Sequence, residues 1–217
     1  MSSISPSTDP ASAAILRRIR DLGSRTPGIA GFAGGRPAAV MIPLIESGDG
    51  LQILFEQRAT GLKRQPGEIC FPGGGIEPGE NPAAAAVRET AEELCTGADQ
   101  IQILAELDGV IGPTGAPVWS FAGLLKGYKG TWSANEVAET FTVPVKWLLE
   151  HEPEVYMTQL ITVPGDDFPH ELVPGGRDYP WARKKNPIWF YRYGDRVIWG
   201  LTANILTRFL MLIKDKD

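Results

Sequence analysis

From Ala11 to Leu22 the apolar residues Ile15, Leu16, Ile19 and Leu22 return at helical spacing with arginines between them, and the breakers in "DLGSRTPG" end the run. This spacing predicts an amphipathic helix. The period then changes. "PAAVMIPLIE" and "LQILFEQR" are apolar runs joined by "SGDG", which predicts a β-hairpin, and "EICF" adds a short strand. After three glycines, Pro82 stands where a first-turn proline is tolerated, and Ala83 to Leu94 is rich in helix formers. "IQILAELDGVI", "VWSFAGLLKG", "EVYMTQLITV" and "IWFYRYGDRVIW" read as strands, "VPVKWLLEH" as a short helix, and Leu201 to Ile213 as a closing amphipathic helix. Strands with helices interspersed predict an α+β fold, a mixed sheet covered by helices on both faces in an α/β/α sandwich.

One stretch resists the pattern. "PGDDFPHELVPGGRDYPWARKKNP", Pro164 to Pro187, is proline- and glycine-rich and long for an idle connection. It reads equally as a solvated excursion or as a loop that gates a substrate.

Composition narrows the class. The chain has 217 residues, enough for one substantial core, and a net charge of −5. That balance lacks the basic footprint of nucleic-acid binders. The only cysteines, Cys70 and Cys95, suit a reduced compartment rather than a disulfide. The opening residues do not read as a signal peptide, and no run is long and apolar enough to span a bilayer, so the expected address is the cytoplasm. Residues 1–10 read as a disordered tail and 11–217 as a single domain. A homodimer stays open.

The candidate chemistry lies in "FPGGGIEPGENPAAAAVRETAEEL". At about 100° per residue, Glu89, Glu92 and Glu93 share one sector of the helix, with Ala84, Val87, Ala91 and Leu94 opposite. Like charges at this spacing repel, and "ETAEEL" holds no cation to relieve them. A solvated acidic face is the plain alternative. A hard divalent cation, Mg²⁺ or Mn²⁺, is the partner these oxygens suit, with a carbonyl of the glycine corner as a further donor. Glu80 and Arg88 are expected to pair and tie the corner to the helix. No lysine and hydroxyl residue of a Walker loop is present in this stretch.

These residues resemble the Nudix box, G-x5-E-x7-R-E-U-x-E-E-x-G-U, through Gly74, Glu80, Arg88, Glu89, Glu92 and Glu93. Departures occur at Thr90 and at Cys95 and Thr96, where Gly97 is expected to cap the helix instead. "LFEQRATGLKRQPGEICFPGG" is similar to the segment LLTxRSxxLxxHxGxVxFPGG of the coenzyme A pyrophosphatase branch. It matches at Leu54, Arg58, Leu62, Gly67 and Phe71 to Gly74, with Gln65 and Ala59 in place of histidine and serine. "VIWGLTANILTRFL" resembles that branch's WGxTAxIL ending.

The resemblance implies a Nudix-type mixed sheet between helices, with the box as loop-helix-loop. It also implies metal-dependent hydrolysis of a nucleoside diphosphate linked to another group. Coenzyme A or acyl-coenzyme A, giving 3′,5′-ADP and 4′-phosphopantetheine, is the expected substrate; ADP-ribose or another derivative, or a non-catalytic binding regulator, is the alternative. On this reading Glu89 and Glu93 are the main ligands of Mg²⁺ or Mn²⁺, Glu92 assists, and the Gly73 carbonyl adds a donor, while Gly74, Glu80 and Arg88 are structural. Glu136, with Glu139 as its alternative, is the expected general base. Arg58 either pairs with the diphosphate or anchors its strand to a core carboxylate. Phe71 and Trp199 either flank a base or belong to the core. His151 and His170 lack metal-ligand spacing.

Overall fold

A computed structural model describes residues 36–48 and 50–214. The expected tail and the helix Ala11 to Leu22 lie outside the described residues. Strand β1 (Ala38–Ser47) forms the predicted hairpin with β2 (Gly50–Arg58), Leu44 opposite Ile53 and Ser47 opposite Gly50. β3 (Ile69–Cys70) pairs with β2, and β4 (Gly73–Gly75) with β1. After helix α1 (Pro82–Glu93) come β5 (Ile101–Glu106), β6 (Val110–Ile111), β7 (Pro117–Leu125) and β8 (Val137–Pro144). The sheet is mixed because β7 joins β1 in parallel, whereas the other pairings are antiparallel. Its main path runs β3-β2-β1-β7-β5.

Alternation along the central strands sends side chains to two cores. Met41 and Leu54 pack with Ala85 and Ala86 of α1 and with Leu94, which caps its C-terminus. Ile42, Ile53 and Phe55 pack on the opposite face, with Leu148 of α2 (Val145–Glu150) and with Leu206 and Phe209 of α3 (Gly200–Ile213). The result is a sheet sandwiched between helices. Phe71 belongs to the second core, 3% exposed and stacked on Phe55 at 4.9 Å. Burying such a ring stabilises the fold by about 1.5–3 kcal/mol, which fits a core role.

A second, three-stranded sheet orders β11 (Arg196–Trp199), β10 (Arg183–Tyr193) and β9 (Glu154–Ile161). Arg183 to Pro187, read above as loop, are therefore strand. Pro187 is accommodated because β11 pairs only with Phe190 to Tyr193, so no third strand needs its missing amide. Between β9 and β10 the chain makes two short 3₁₀ turns, and Trp181 meets Phe168 and Tyr179 edge-on. Among the described residues no helix is long and apolar enough to cross a membrane.

Helix α1 positions the acids. Asn81 caps it, its side chain accepting from the Ala83 amide at 2.8 Å, with Pro82 in the first turn. The expected apolar face needs correction: Ala84 is exposed, and Ala85, Ala86, Thr90, Glu93 and Leu94 are buried. The Thr90 hydroxyl is satisfied by the Ala86 carbonyl at 2.6 Å, so a polar residue fits where a bulky apolar one is usual. The C-terminus also differs from expectation. Cys95, not Gly97, takes the left-handed position with φ +48°, while Thr96 N–H reaches the Ala91 carbonyl at 3.0 Å in a Schellman arrangement. Cys95→Gly is expected to raise stability by about 0.5–1 kcal/mol, because relief of left-handed strain exceeds the added unfolded-chain entropy. Urea denaturation checks this, and an unchanged or lower midpoint would count against it.

Candidate active site

The glycine corner and α1 meet through charge. Arg88 reaches back so that its Nε and Nη2 fork the two oxygens of Glu80 at 2.9 and 3.0 Å, and Nη2 also donates to the Gly75 carbonyl at 3.2 Å. This fork, helped by the Glu77 amide, holds the Glu80 carboxyl well below the usual range. The Arg88 Nη1 meets Glu89 at 2.8 Å and Glu92 at 3.4 Å. Two of the three helical acids thus find a cation one residue before "ETAEEL". Glu93 has no such ion pair among the described residues.

Glu93 is instead 5% exposed and accepts from the Gly73 amide at 2.7 Å. Burial pushes its carboxyl well above the usual range; the nearby Glu56 carboxylate adds to this and the Gly73 hydrogen bond opposes it. Gly73 therefore meets α1 through its N–H, a different group from the carbonyl expected as a donor. A Cβ on Gly74 would lie 2.4 Å from Glu89 Oε2, so glycine lets that carboxylate sit against the corner.

The sequence reading missed Glu56. It follows Leu54 by two positions on β2, so alternation turns it toward α1. Its side chain is fully buried; Oε1 accepts from the Cys70 thiol at 3.3 Å, and Oε2 is buried with no hydrogen-bond partner. Burial raises its carboxyl, with Cys70 and Arg58 opposing and Glu136 reinforcing the shift. A lone acid at a core-facing position of an apolar strand is the signal that was available.

Arg58 donates from Nε to the Arg64 carbonyl at 3.4 Å and forms no ion pair among the described residues. The two base candidates separate. Glu139 is gripped by both Nη atoms of Arg196, whose guanidinium lies 4.4 Å from the Phe141 ring centroid. Glu136 is exposed, has no cation partner among the described residues, and acts on the Glu56 charge. Trp199, 42% exposed, stacks on Phe190 at 5.8 Å and lines a cleft of about 560 Å³ with Gln57, Glu68 and Arg196. His151 and His170 pack on Trp147 and Phe168 respectively, outside this set.

A family model described as the NUDIX domain matches residues 35–161. The chain belongs to the Nudix hydrolase family. It is 36% identical over 132 residues to the peroxisomal coenzyme A diphosphatase NUDT7 of Mus musculus, a match covering 60% of this chain and only 55% of the mouse protein. It is 27% identical over 182 residues to the uncharacterized Nudix hydrolase NudL of Enterobacter sp. strain 638, covering 82% of this chain and 83% of that protein. A solved MutT/nudix family protein from Enterococcus faecalis aligns with TM-score 0.47 and 15% identity, over 93% of this chain and 69% of that one.

Nudix hydrolases generally use divalent metals, and the residues of this Nudix site fit one by donor chemistry. Its acids are all oxygen donors, and the buried, unpartnered Oε2 of Glu56 is an orphan that a cation would satisfy. Among the described residues no three His, Cys, Asp or Glu side chains form a ready-made ligand cluster. Glu89 and Glu92 lean on Arg88 while Glu93 holds the Gly73 amide. A pH dependence follows. Glu56 and Glu93 have folded pKa values raised above the ordinary 4.5, so the stability they confer is complete below that value and is lost as pH rises through the raised folded values. Metal-free Nudix protein is therefore expected to melt at lower temperature as pH is increased from about 4.5 toward alkaline. Thermal scans in chelator check this, and a midpoint that rises over that range would contradict it.

Proposed function

We propose that this chain hydrolyses the diphosphate of coenzyme A or an acyl-coenzyme A, releasing 3′,5′-ADP and a 4′-phosphopantetheine product. The carrying observation is the Glu93 contact with the Gly73 amide, which joins the end of α1 to the glycine corner, with the buried acid Glu56 of β2 close enough for its charge to act on Glu93. The likeness to the mouse coenzyme A diphosphatase supports the substrate.

In this reading Glu89 and Glu93 hold Mg²⁺ or Mn²⁺, with Glu92 and the Gly73 carbonyl assisting. A bound ion would reverse the local negative field and polarise the phosphoryl oxygens. Glu80 and Arg88 brace the corner so that these carboxylates keep their places. Arg58, without a carboxylate partner among the described residues, counters diphosphate charge. Glu136 takes the proton of the attacking water, because Glu139 is committed to Arg196. The Trp199 cleft receives an organic end of the substrate, its exposed ring offering a stacking face. The partner is a small molecule, and residence in a reducing compartment such as the cytoplasm agrees with free Cys70 and Cys95.

The test is incubation of the full chain with coenzyme A, an acyl-coenzyme A, ADP-ribose and a dinucleotide, each with Mg²⁺ or Mn²⁺, followed by product identification. Release of 3′,5′-ADP supports the reading. Consumption of ADP-ribose with coenzyme A left intact overturns the substrate, and no turnover of any of them favours a binding protein.

A further inference from the structure

We infer that Glu56 supplies a fourth carboxylate to the cation site, joining Glu89, Glu92 and Glu93 from β2. This rests on the metal-dependent reading above and adds to it a residue outside the box motif. The family segment quoted earlier carries threonine where this chain has Glu56, so the contribution belongs to this chain's own sequence.

Three observations carry the assignment. The first is position. Glu56 pairs across the sheet with Cys70 of β3, three residues before Gly73, and Gly73 holds Glu93 through its amide. One short strip of chain thus contacts both carboxylates. The second is an unmet bond. Oε1 is engaged by the Cys70 thiol, a weak donor, while Oε2 is fully buried with no partner, and such a group is costly unless something satisfies it.

The third is local charge. Glu93 and Glu136 act with Glu56 in this neighbourhood, and Arg58 is the cation that opposes them. Glu56 is the strongest of the charges acting on Glu93, ahead of Glu89. One guanidinium without a direct ion pair leaves this group of acids under-neutralised. A hard divalent cation would satisfy the orphan oxygen and offset the excess charge together.

The test is calorimetric titration of Mn²⁺ into the full chain at neutral pH, comparing wild type, Glu56→Gln and Glu93→Gln. Glu56→Gln is expected to weaken Mn²⁺ binding by at least about tenfold. In chelator the same variant should melt no lower than wild type, because it removes a buried charge, and the rise in midpoint on adding Mn²⁺ should shrink. Wild-type Mn²⁺ affinity in Glu56→Gln, with weakened binding in Glu93→Gln, overturns this inference and leaves the proposed function standing. Wild-type affinity in both variants overturns the metal site itself. Should Glu56→Gln fail to fold, anomalous diffraction from wild-type crystals grown with Mn²⁺ decides. A metal peak bonded to Glu56 Oε2 supports the assignment, and one bonded to the helical acids alone rejects it.

Discussion

Glu93→Gln is expected to lower turnover by several orders of magnitude while the protein stays folded. Glutamine keeps the side-chain volume, and its carbonyl oxygen can still accept from the Gly73 amide that Glu93 engages at 2.7 Å. The backbone contact from Ser133 N–H to the Glu93 carbonyl, 2.8 Å, is untouched. What disappears is an acid able to carry a negative charge at a buried position. In chelator that loss should leave the melting temperature unchanged or higher, because the carboxylate is desolvated and has Glu56 for a neighbour. On the proposed function, the same charge would hold the cation against the diphosphate during turnover. Losing about 4 kcal/mol of transition-state stabilisation corresponds to about a thousandfold in rate. Product release measured at saturating metal checks the prediction, alongside a melt of the same sample. Wild-type turnover in a folded variant would reject the ligand role of Glu93.

Gly73→Ala should have the largest effect on stability. Gly73 has φ +150°, and a Cβ there would lie 2.3 Å from the Ala39 carbonyl oxygen and 2.6 Å from Val40 Cα. Both are backbone atoms of β1, so relief requires β4 to move off the sheet and break the register of Val40 with Gly73. The shift would also pull the Gly73 amide from Glu93, exposing a buried carboxylate to the loss of its hydrogen bond. Strained φ, steric overlap and the broken contact together predict a cost of about 3–5 kcal/mol. Gly74→Ala is a control, because its nearest obstacle is the Glu89 carboxylate at 2.4 Å, the far end of a side chain that can swing away. Urea unfolding of both variants should show a much larger loss for Gly73→Ala; equal midpoints would refute the backbone-clash account.

Much of this site was written in local spacing. The apolar runs "PAAVMIPLIE" and "LQILFEQR" about the turn signal "SGDG" announced β1 and β2, and Pro82 with the alanine run announced α1, because such signals depend on near neighbours. The Nudix box could be read the same way, since its charged positions recur at spacings that a single loop and helix impose.

Burial and long-range pairing could not. Periodicity put Ala84 on the hidden face, yet the fold leaves Ala84 exposed and buries Glu93, whose carboxyl the glycine corner meets with an amide where the helix ends near β4. Glu139 stayed open as the alternative to Glu136 because nothing in the letters shows that Arg196, 57 residues away, pairs with it. Glu56 stood in an apolar strand with no hint of its neighbours, since Cys70 and Glu93 reach it only through β-pairing and helix packing. Local periods are set by bonded geometry and survive in a string of letters. The charge and solvation felt by a carboxylate depend on whatever the folded chain brings beside it.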